Sequence, residues 1–302
     1  MQKHYTGDPS EIIQSFPKLN MQVLCCRYWW IKNWEHRELS FPYWRIYNNV
    51  QEGAFMEYNQ QNYEMKPDIL YLIAPNTNYS SRLHSNPIPH EGYELQGGRI
   101  SEITDTTRKE LVKQGAIEHL FIHFTLGYPY DNVAPGIYSF KIDEALENKI
   151  MQIREYLTKN VAQFNFTIFL TIQSLIYELL FNMGEKKWKY PIRDVRIAKV
   201  ISFIENNISQ EFSNKSLADL ANMATNAFAR LFKEDTGFTI QNFIKSKRIH
   251  TACLLLLHTN QSIDEIAEKT GFVNRYHFTR IFNQITGIPP GKYRKESFNL
   301  SR

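Results

Sequence analysis

The sequence predicts an α+β protein: a β-rich N-terminal part followed by an all-helical C-terminal part. Three observations predict it. Short alternating apolar and polar runs, separated by Pro, Gly and Asn, fill about the first 140 residues. From Asp143 the apolar spacing lengthens to that of a helix. The last third contains one helical unit written twice. The chain has 302 residues, 43% of them apolar and 22% charged, which is enough for two cores at roughly 150 residues each. This composition is that of a folded chain and excludes a fibrous repeat. Three cysteines, Cys25, Cys26 and Cys253, are an odd number with two of them adjacent, which argues against a disulfide framework and for a reducing compartment.

The clearest strands are Tyr43 to Tyr47, Ile69 to Ala74 and Ile117 to Leu126. Turns are supplied by Asn48-Asn49, Gly53, Asn59, Pro67-Asp68, Pro75-Asn76, Pro87 and Gly97-Gly98. Many short strands at this spacing predict a small sandwich or barrel over residues 1–142. Residues 143–184 read as two long helices. Ala145, Leu146, Lys149, Ile150, Ile153 and Leu157 form one stripe, and Val161 to Met183 forms another. The second stretch carries Asn165, Gln173, Ser174 and Glu178, so it fails the test of about 20 nearly uninterrupted apolar residues for a membrane span. With no apolar run after Lys3 to act as a secretory signal, the expected location is cytoplasmic. Residues 185–190 are the expected linker, placed between Gly184, which ends a helix, and Pro191, which opens the next.

Residues 191–302 read as helices only. Phe228-Ala-Arg-Leu-Phe-Lys-Glu-Asp-Thr-Gly237 matches Phe278-Thr-Arg-Ile-Phe-Asn-Gln-Ile-Thr-Gly287 at a spacing of 50 residues. Upstream, Ser213 matches Ser262, and Leu217-Ala218 matches Ile266-Ala267. In each copy a Ser caps a short helix; Ser262 with Glu265 forms a capping box. A tight turn follows at Asn222 or Gly271, residues that tolerate a left-handed backbone. A second helix then buries two Phe at i and i+4. This turns Asn226, Ala229, Arg230 and Lys233 outward in the first copy, and Arg275, Tyr276, Thr279 and Arg280 in the second. Helix, tight turn and helix with a basic outer face is the helix-turn-helix pattern. One copy is weak evidence, because short helical hairpins with Phe pairs are common core structure; two matched copies are far more specific. A single helix from Ile240 to His258 connects them. Residues 191–302 hold 16 Lys and Arg against 10 Asp and Glu, a charge of +6, while the rest of the chain is at −2. A basic end of this kind suits a polyanion.

The runs Ile263 to Phe272, Tyr276 to Phe282 and Thr286 to Arg294 resemble the signature of the DNA-binding domain of AraC/XylS-type transcription regulators. The resemblance implies two helix-turn-helix units reading successive major grooves. It places base-facing residues at Asn226, Ala229 and Arg230, and at Arg275, Tyr276, Thr279 and Arg280. Three positions depart from the pattern: Asn222 stands where Gly is usual, Asn283 where Lys is usual, and Ala229 cannot hydrogen-bond a base. The first unit is therefore expected to read fewer bases. More loosely, Pro67 to Thr77 and His119-Leu-Phe-Ile-His-Phe124 resemble the cupin-like sensor domain of the same family, whose aromatic strand faces a sugar pocket in arabinose-type members.

The resemblance implies a sequence-specific transcriptional regulator, expected to be an activator responding to a small molecule such as a sugar, and a homodimer through residues 143–184. The alternative is a DNA-binding regulator without effector, whose N-terminal domain only dimerises or docks a protein. Double-stranded DNA, the effector, a second copy of the chain and RNA polymerase are the expected partners, with no membrane. Candidate ligand residues are Arg45, Tyr79, His119, Phe121 and His123. His119 and His123 also fit ordinary half-buried strand positions, and Arg45 fits a surface salt bridge as well as a ligand clamp. An enzyme is not expected, nor a cofactor. Metal-dependent cupins need a His-x-His pair, which the sequence lacks, and His119 and His123 lie roughly 13 Å apart along a strand. No phosphate loop or nucleophile elbow occurs either.

Overall fold

The computed structural model describes residues 19–90, 93–160, 162–184, 188, 194–286 and 289–298. Of the expected linker, only Trp188 is among them. Among the described residues, nine antiparallel strands form one curled sheet: β1 (Gln22–Leu39), β2 (Trp44–Asn49), β3 (Ala54–Tyr58), β4 (Gln61–Glu64), β5 (Ile69–Ile73), β6 (Tyr79–Leu83), β7 (Tyr93–Arg99), β8 (Ile117–Thr125) and β9 (Ile137–Lys141). Their order is β4-β3-β6-β1-β8-β2-β5-β9, with β7 also paired to β1. The 18-residue β1 makes the curl, pairing with β8 along its first half and with β7 and β6 further on.

Alternation sorts the side chains of this sheet into two cores. Cys26, Tyr28, Trp44, Ile46, Leu120, Ile122 and Phe124 face outward onto helices α2 (Glu144–Lys159) and α3 (Phe166–Asn182). Trp29, Ile31, Tyr47, Tyr71, Ile73 and Phe121 face the hollow of the curl. Asp143 caps α2 by accepting from the Leu146 amide, and Asn165 caps α3 by accepting from that of Ile168. On the outer face a buried Glu118 carboxylate receives both the Nε and the Nη2 of Arg108 at 2.6 Å and the Tyr28 hydroxyl. Those bonds hold it below the usual carboxylate range, against the desolvation that would raise it.

The N-terminal part is not wholly β. Arg108 lies on helix α1 (Asp105–Lys113), which the apolar pattern does not announce. No residue of α1 is buried, so it has no apolar stripe; its signals are the Thr104 cap on the Thr107 amide and Asp105 and Lys113 at opposite ends.

The C-terminal part contains α4 (Val195–Asn206), α5 (Asn214–Leu220), α6 (Thr225–Thr236), α7 (Ile240–His258), α8 (Ile263–Lys269), α9 (Arg275–Thr286) and α10 (Pro290–Phe298). The duplication is physical. Ser213 with Ser216, and Ser262 with Glu265, form capping boxes at matching positions. Asn222 and Gly271 take the left-handed backbone at φ +53° and +74°. Phe228 with Phe232, and Phe278 with Phe282, are fully buried. Each unit has its own core, and α7 contributes to both: Ile240, Phe243 and Ile244 to the first, Ile249 through Leu257 to the second.

Candidate nucleic-acid interface and ligand pocket

The outer faces of α6 and α9 carry the expected DNA-reading residues. Asn226, Arg230, Lys233, Arg275, Tyr276 and Arg280 are exposed, Tyr276 at 86%. Ala229 and Thr279 are only half-exposed, and Ala229 packs against the first unit's core, so it is a packing residue at the edge of the face. Arg230 lies 3.9 Å from Glu234, and Arg275 lies 3.1 Å from Asp264. Such exposed pairs contribute little to stability, and the guanidinium groups stay available to another acceptor.

Arg248, which sequence reasoning did not single out, ties the two units together. From α7 its Nε donates to the Ile208 carbonyl at 3.2 Å and its Nη2 to that of Gln210 at 2.6 Å. Its guanidinium also lies against the turn of the second unit: a Cβ on Gly271 would fall 2.8 Å from Arg248 Cζ and 2.8 Å from the Ser209 carbonyl oxygen. The only sequence signal for this packing was the glycine itself.

The concave face of the sheet holds a pocket. Strand register lays rows across β1, β8 and β2: Trp29, His119 and Asn49; Arg27, Phe121 and Tyr47; Cys25, His123 and Arg45; all but Asn49 and Arg45 line the pocket. Tyr79, His119, Phe121 and His123 line the pocket, so four of the five ligand candidates share one cavity. The fifth, Arg45, stands behind that wall. It is fully buried, with its Cζ 4.8 Å from the Tyr79 ring centre and 5.1 Å from that of Phe41. This overturns the surface salt-bridge alternative: Arg45 Nη2 donates to the Thr77 carbonyl at 3.3 Å, while Nε and Nη1 have no hydrogen-bond acceptor. The remaining wall comes largely from aromatic residues the sequence reading passed over, including Trp29, Trp34, Phe41, Tyr43 and Tyr47. Alternation along Gln22–Leu39 was the signal that could have found the first two.

Several polar groups in this wall already have partners. The Asn49 Oδ1 and His119 Nδ1 are 2.7 Å apart. The Glu35 carboxylate accepts from the Trp34 and Leu83 amides and from Asn86 Nδ2. Burial lowers the His36 and His119 imidazoles from 6.5 to about 3, keeping both rings neutral. Leu257 of α7 lines the pocket too, so its wall includes a residue of the helical half. There Phe41 and Tyr43 share one core with Cys253, Leu256 and Leu257.

A curled-sheet domain with an internal pocket, packed on a duplicated helix-turn-helix domain, defines the class of fold. A profile of the helix-turn-helix domain matches residues 217–296. The match assigns this region, about a quarter of the chain, to the AraC-type helix-turn-helix domains. It is 30% identical over 98 residues to the HTH-type transcriptional regulator YbfP of Bacillus subtilis (strain 168), covering 32% of this chain and 33% of that protein. It is 34% identical over 125 residues to YfiF of the same organism, covering 41% and 40%. The chain thus spans well under half the length of these relatives. The crystal structure of ToxT from Vibrio cholerae O395 aligns over 92% of this chain and 98% of its own, with a TM-score of 0.50 at 11% identity. That likeness places the whole two-domain arrangement in the same fold. No described helix is long and apolar enough to cross a membrane.

Proposed function

We propose that the chain is a sequence-specific transcriptional regulator whose N-terminal domain senses a small molecule. The observation that carries the reading is the shared pocket. One cavity is walled by the sheet and by Leu257 of the helix connecting the two DNA-reading units. A ligand there contacts both domains at once, so it favours one arrangement over another by its differential contacts. α6 and α9 read the duplex, with Arg280 and Arg275 as base or phosphate donors and Arg230 and Lys233 as the first unit's cations. The second unit carries more of the specificity, because Ala229 offers the first no donor.

The wall favours a ligand more apolar than the sugar expected from the sequence. It presents rings on most sides, with Arg27 and Glu94 as its further charged members, and His119 Nδ1 and the Glu35 carboxylate are already engaged. Arg27, a cation on the pocket wall, favours a ligand with an acceptor or anionic group. A homodimer through α3 completes the reading. That helix exposes Phe166, Leu170, Tyr177 and Phe181 on one stripe, with Phe181 at 85%.

The test is duplex binding by the full chain, selected from a random pool and measured by fluorescence anisotropy. Arg280→Ala should weaken the preferred duplex by roughly 1–3 kcal/mol and relax the choice at one base pair. Absence of duplex binding at low salt refutes the regulatory reading. A thermal-shift panel of sugars against aromatic and aliphatic carboxylates tests the ligand class. Stabilisation by sugars alone reverses the preference for an apolar ligand.

A further inference from the structure

Among the described residues, the curled-sheet domain grips the DNA-binding domain at two separate places. One is the contact of Phe41 and Tyr43, joined by Leu24 and Leu39 of β1, beside the pocket. The other is the loop from Leu126 to Asp131, none of whose residues lines the pocket. This loop is anchored to the sheet domain by Asp131. Its Oδ1 accepts from the Leu126 amide at 2.9 Å and from Trp44 Nε1 at 3.0 Å, and its Oδ2 accepts from the Gly127 amide at 3.0 Å. The Asn20 amide donates to the Leu126 carbonyl at 3.0 Å, adding a second attachment.

At the tip, Tyr128 leaves its own domain and packs on the core of the first helix-turn-helix unit. Its ring meets Phe243 edge-on at 5.3 Å, with an interplanar angle of 86°. Lys247 Nζ sits 5.3 Å from the Tyr128 ring centre and 5.6 Å from that of Phe243. The same ammonium pairs with Glu205 Oε1 of α4 at 2.6 Å, and that oxygen also accepts from the Tyr128 amide at 3.3 Å. Both side chains of the ion pair are less than one-fifth exposed, so the pair is poorly screened. One ring and one carboxylate thereby join the loop to α4 and to the start of α7. The Phe41–Tyr43 contact engages α7 at Cys253 and Leu257, ten residues or roughly 15 Å further along the helix.

We propose that Leu126–Asp131 is a latch, with Tyr128 at its tip, that holds the curled-sheet domain to the first helix-turn-helix unit independently of the pocket. The second contact shares Phe41, Tyr43 and Leu257 with the pocket wall and is the one a ligand can alter directly. The latch is then the fixed pivot about which the domains turn. This last step rests on the sensing reading above; the latch itself does not.

Hydrogen exchange on the full chain tests the latch without ligand or DNA. In Tyr128→Ala, amides of residues 200–206 and 243–247 should exchange at least about tenfold faster, while those of 253–257 and 278–282 keep wild-type rates. Tyr128→Phe, which retains the ring, should match the wild type. Glu205→Gln should loosen the same first block, and it decides the matter if Tyr128→Ala does not fold. Phe41→Ala should loosen the second block and spare the first. If either contact's variant loosens both blocks together, the two contacts form one cooperative interface and the proposal is overturned. Wild-type exchange in both Tyr128→Ala and Glu205→Gln overturns it as well.

Discussion

Gly271→Ala is the sharpest perturbation of the DNA-reading architecture. Gly271 holds φ +74° in the turn between α8 and α9. Placing an L side chain there costs roughly 1–2 kcal/mol from backbone sterics alone. The added methyl would also lie 2.7 Å from Arg248 Nη2 and 2.8 Å from the Ser209 carbonyl oxygen. The guanidinium has no free direction in which to yield, because it is bonded to the Ile208 and Gln210 carbonyls. Losing one such charged hydrogen bond costs about 1.5–3 kcal/mol. The expected total is about 3–4 kcal/mol, a large share of the 5–15 kcal/mol typical of a domain. Urea unfolding followed by far-UV circular dichroism reads the loss, and duplex anisotropy should show weakened binding, since the same turn sets the tilt of α9. Asn222→Gly is the control at the equivalent turn. Its φ of +53° is one asparagine tolerates, so glycine there should change stability by less than about 1 kcal/mol. A Gly271→Ala chain within about 1 kcal/mol of wild type would show that this turn is not welded to the 208–210 segment.

Protonation of buried histidines should destabilise the curled-sheet domain well above the ordinary carboxylate range. His36 and His119 fall from 6.5 to about 3 on burial, so their contribution is complete above about pH 6.5 and is lost as pH falls towards 3. At pH 5 each costs on the order of 2 kcal/mol, and the pH 7 to pH 5 drop in unfolding free energy should be smaller in His119→Gln; an equal drop in both chains refutes the assignment. The full chain should be a dimer at tens of micromolar, and Phe166→Glu with Phe181→Glu should make it monomeric by light scattering. A monomeric wild type at that concentration counts against α3 as the pairing surface. His119→Ala with His123→Ala should leave duplex binding near normal and abolish the thermal shift given by any ligand the wild type accepts. A ligand shift that survives the pair places the site elsewhere.

The helical half was legible almost residue by residue. Its signals are local: a Ser cap, an apolar pair, a residue tolerating positive φ, and two Phe a helical turn apart. Repeating them 50 residues later turned a weak pattern into a specific one. The two faces of β8 could be read the same way, because alternation along one strand sets which side chains share a side. The sequence also brought Tyr79, His119, Phe121 and His123 forward together. Neither β1 as the organising strand nor α1 was read, the latter because it buries nothing and so leaves no periodic trace.

What the tertiary structure alone decided is pairing between distant segments. Arg45 could sit on the surface or in the core until β2 was laid between β5 and β8, which sealed it behind Phe41 and Tyr79. The contact of Gly271 with the 208–210 segment through Arg248, the insertion of Tyr128 beside Phe243, and the closing of the pocket by Leu257 are of the same kind. Periodicity reports which side of an element turns away from water, and caps and turns report where it starts and stops. Neither carries the identity of the neighbour, which is set by how whole elements pack to bury their apolar faces together.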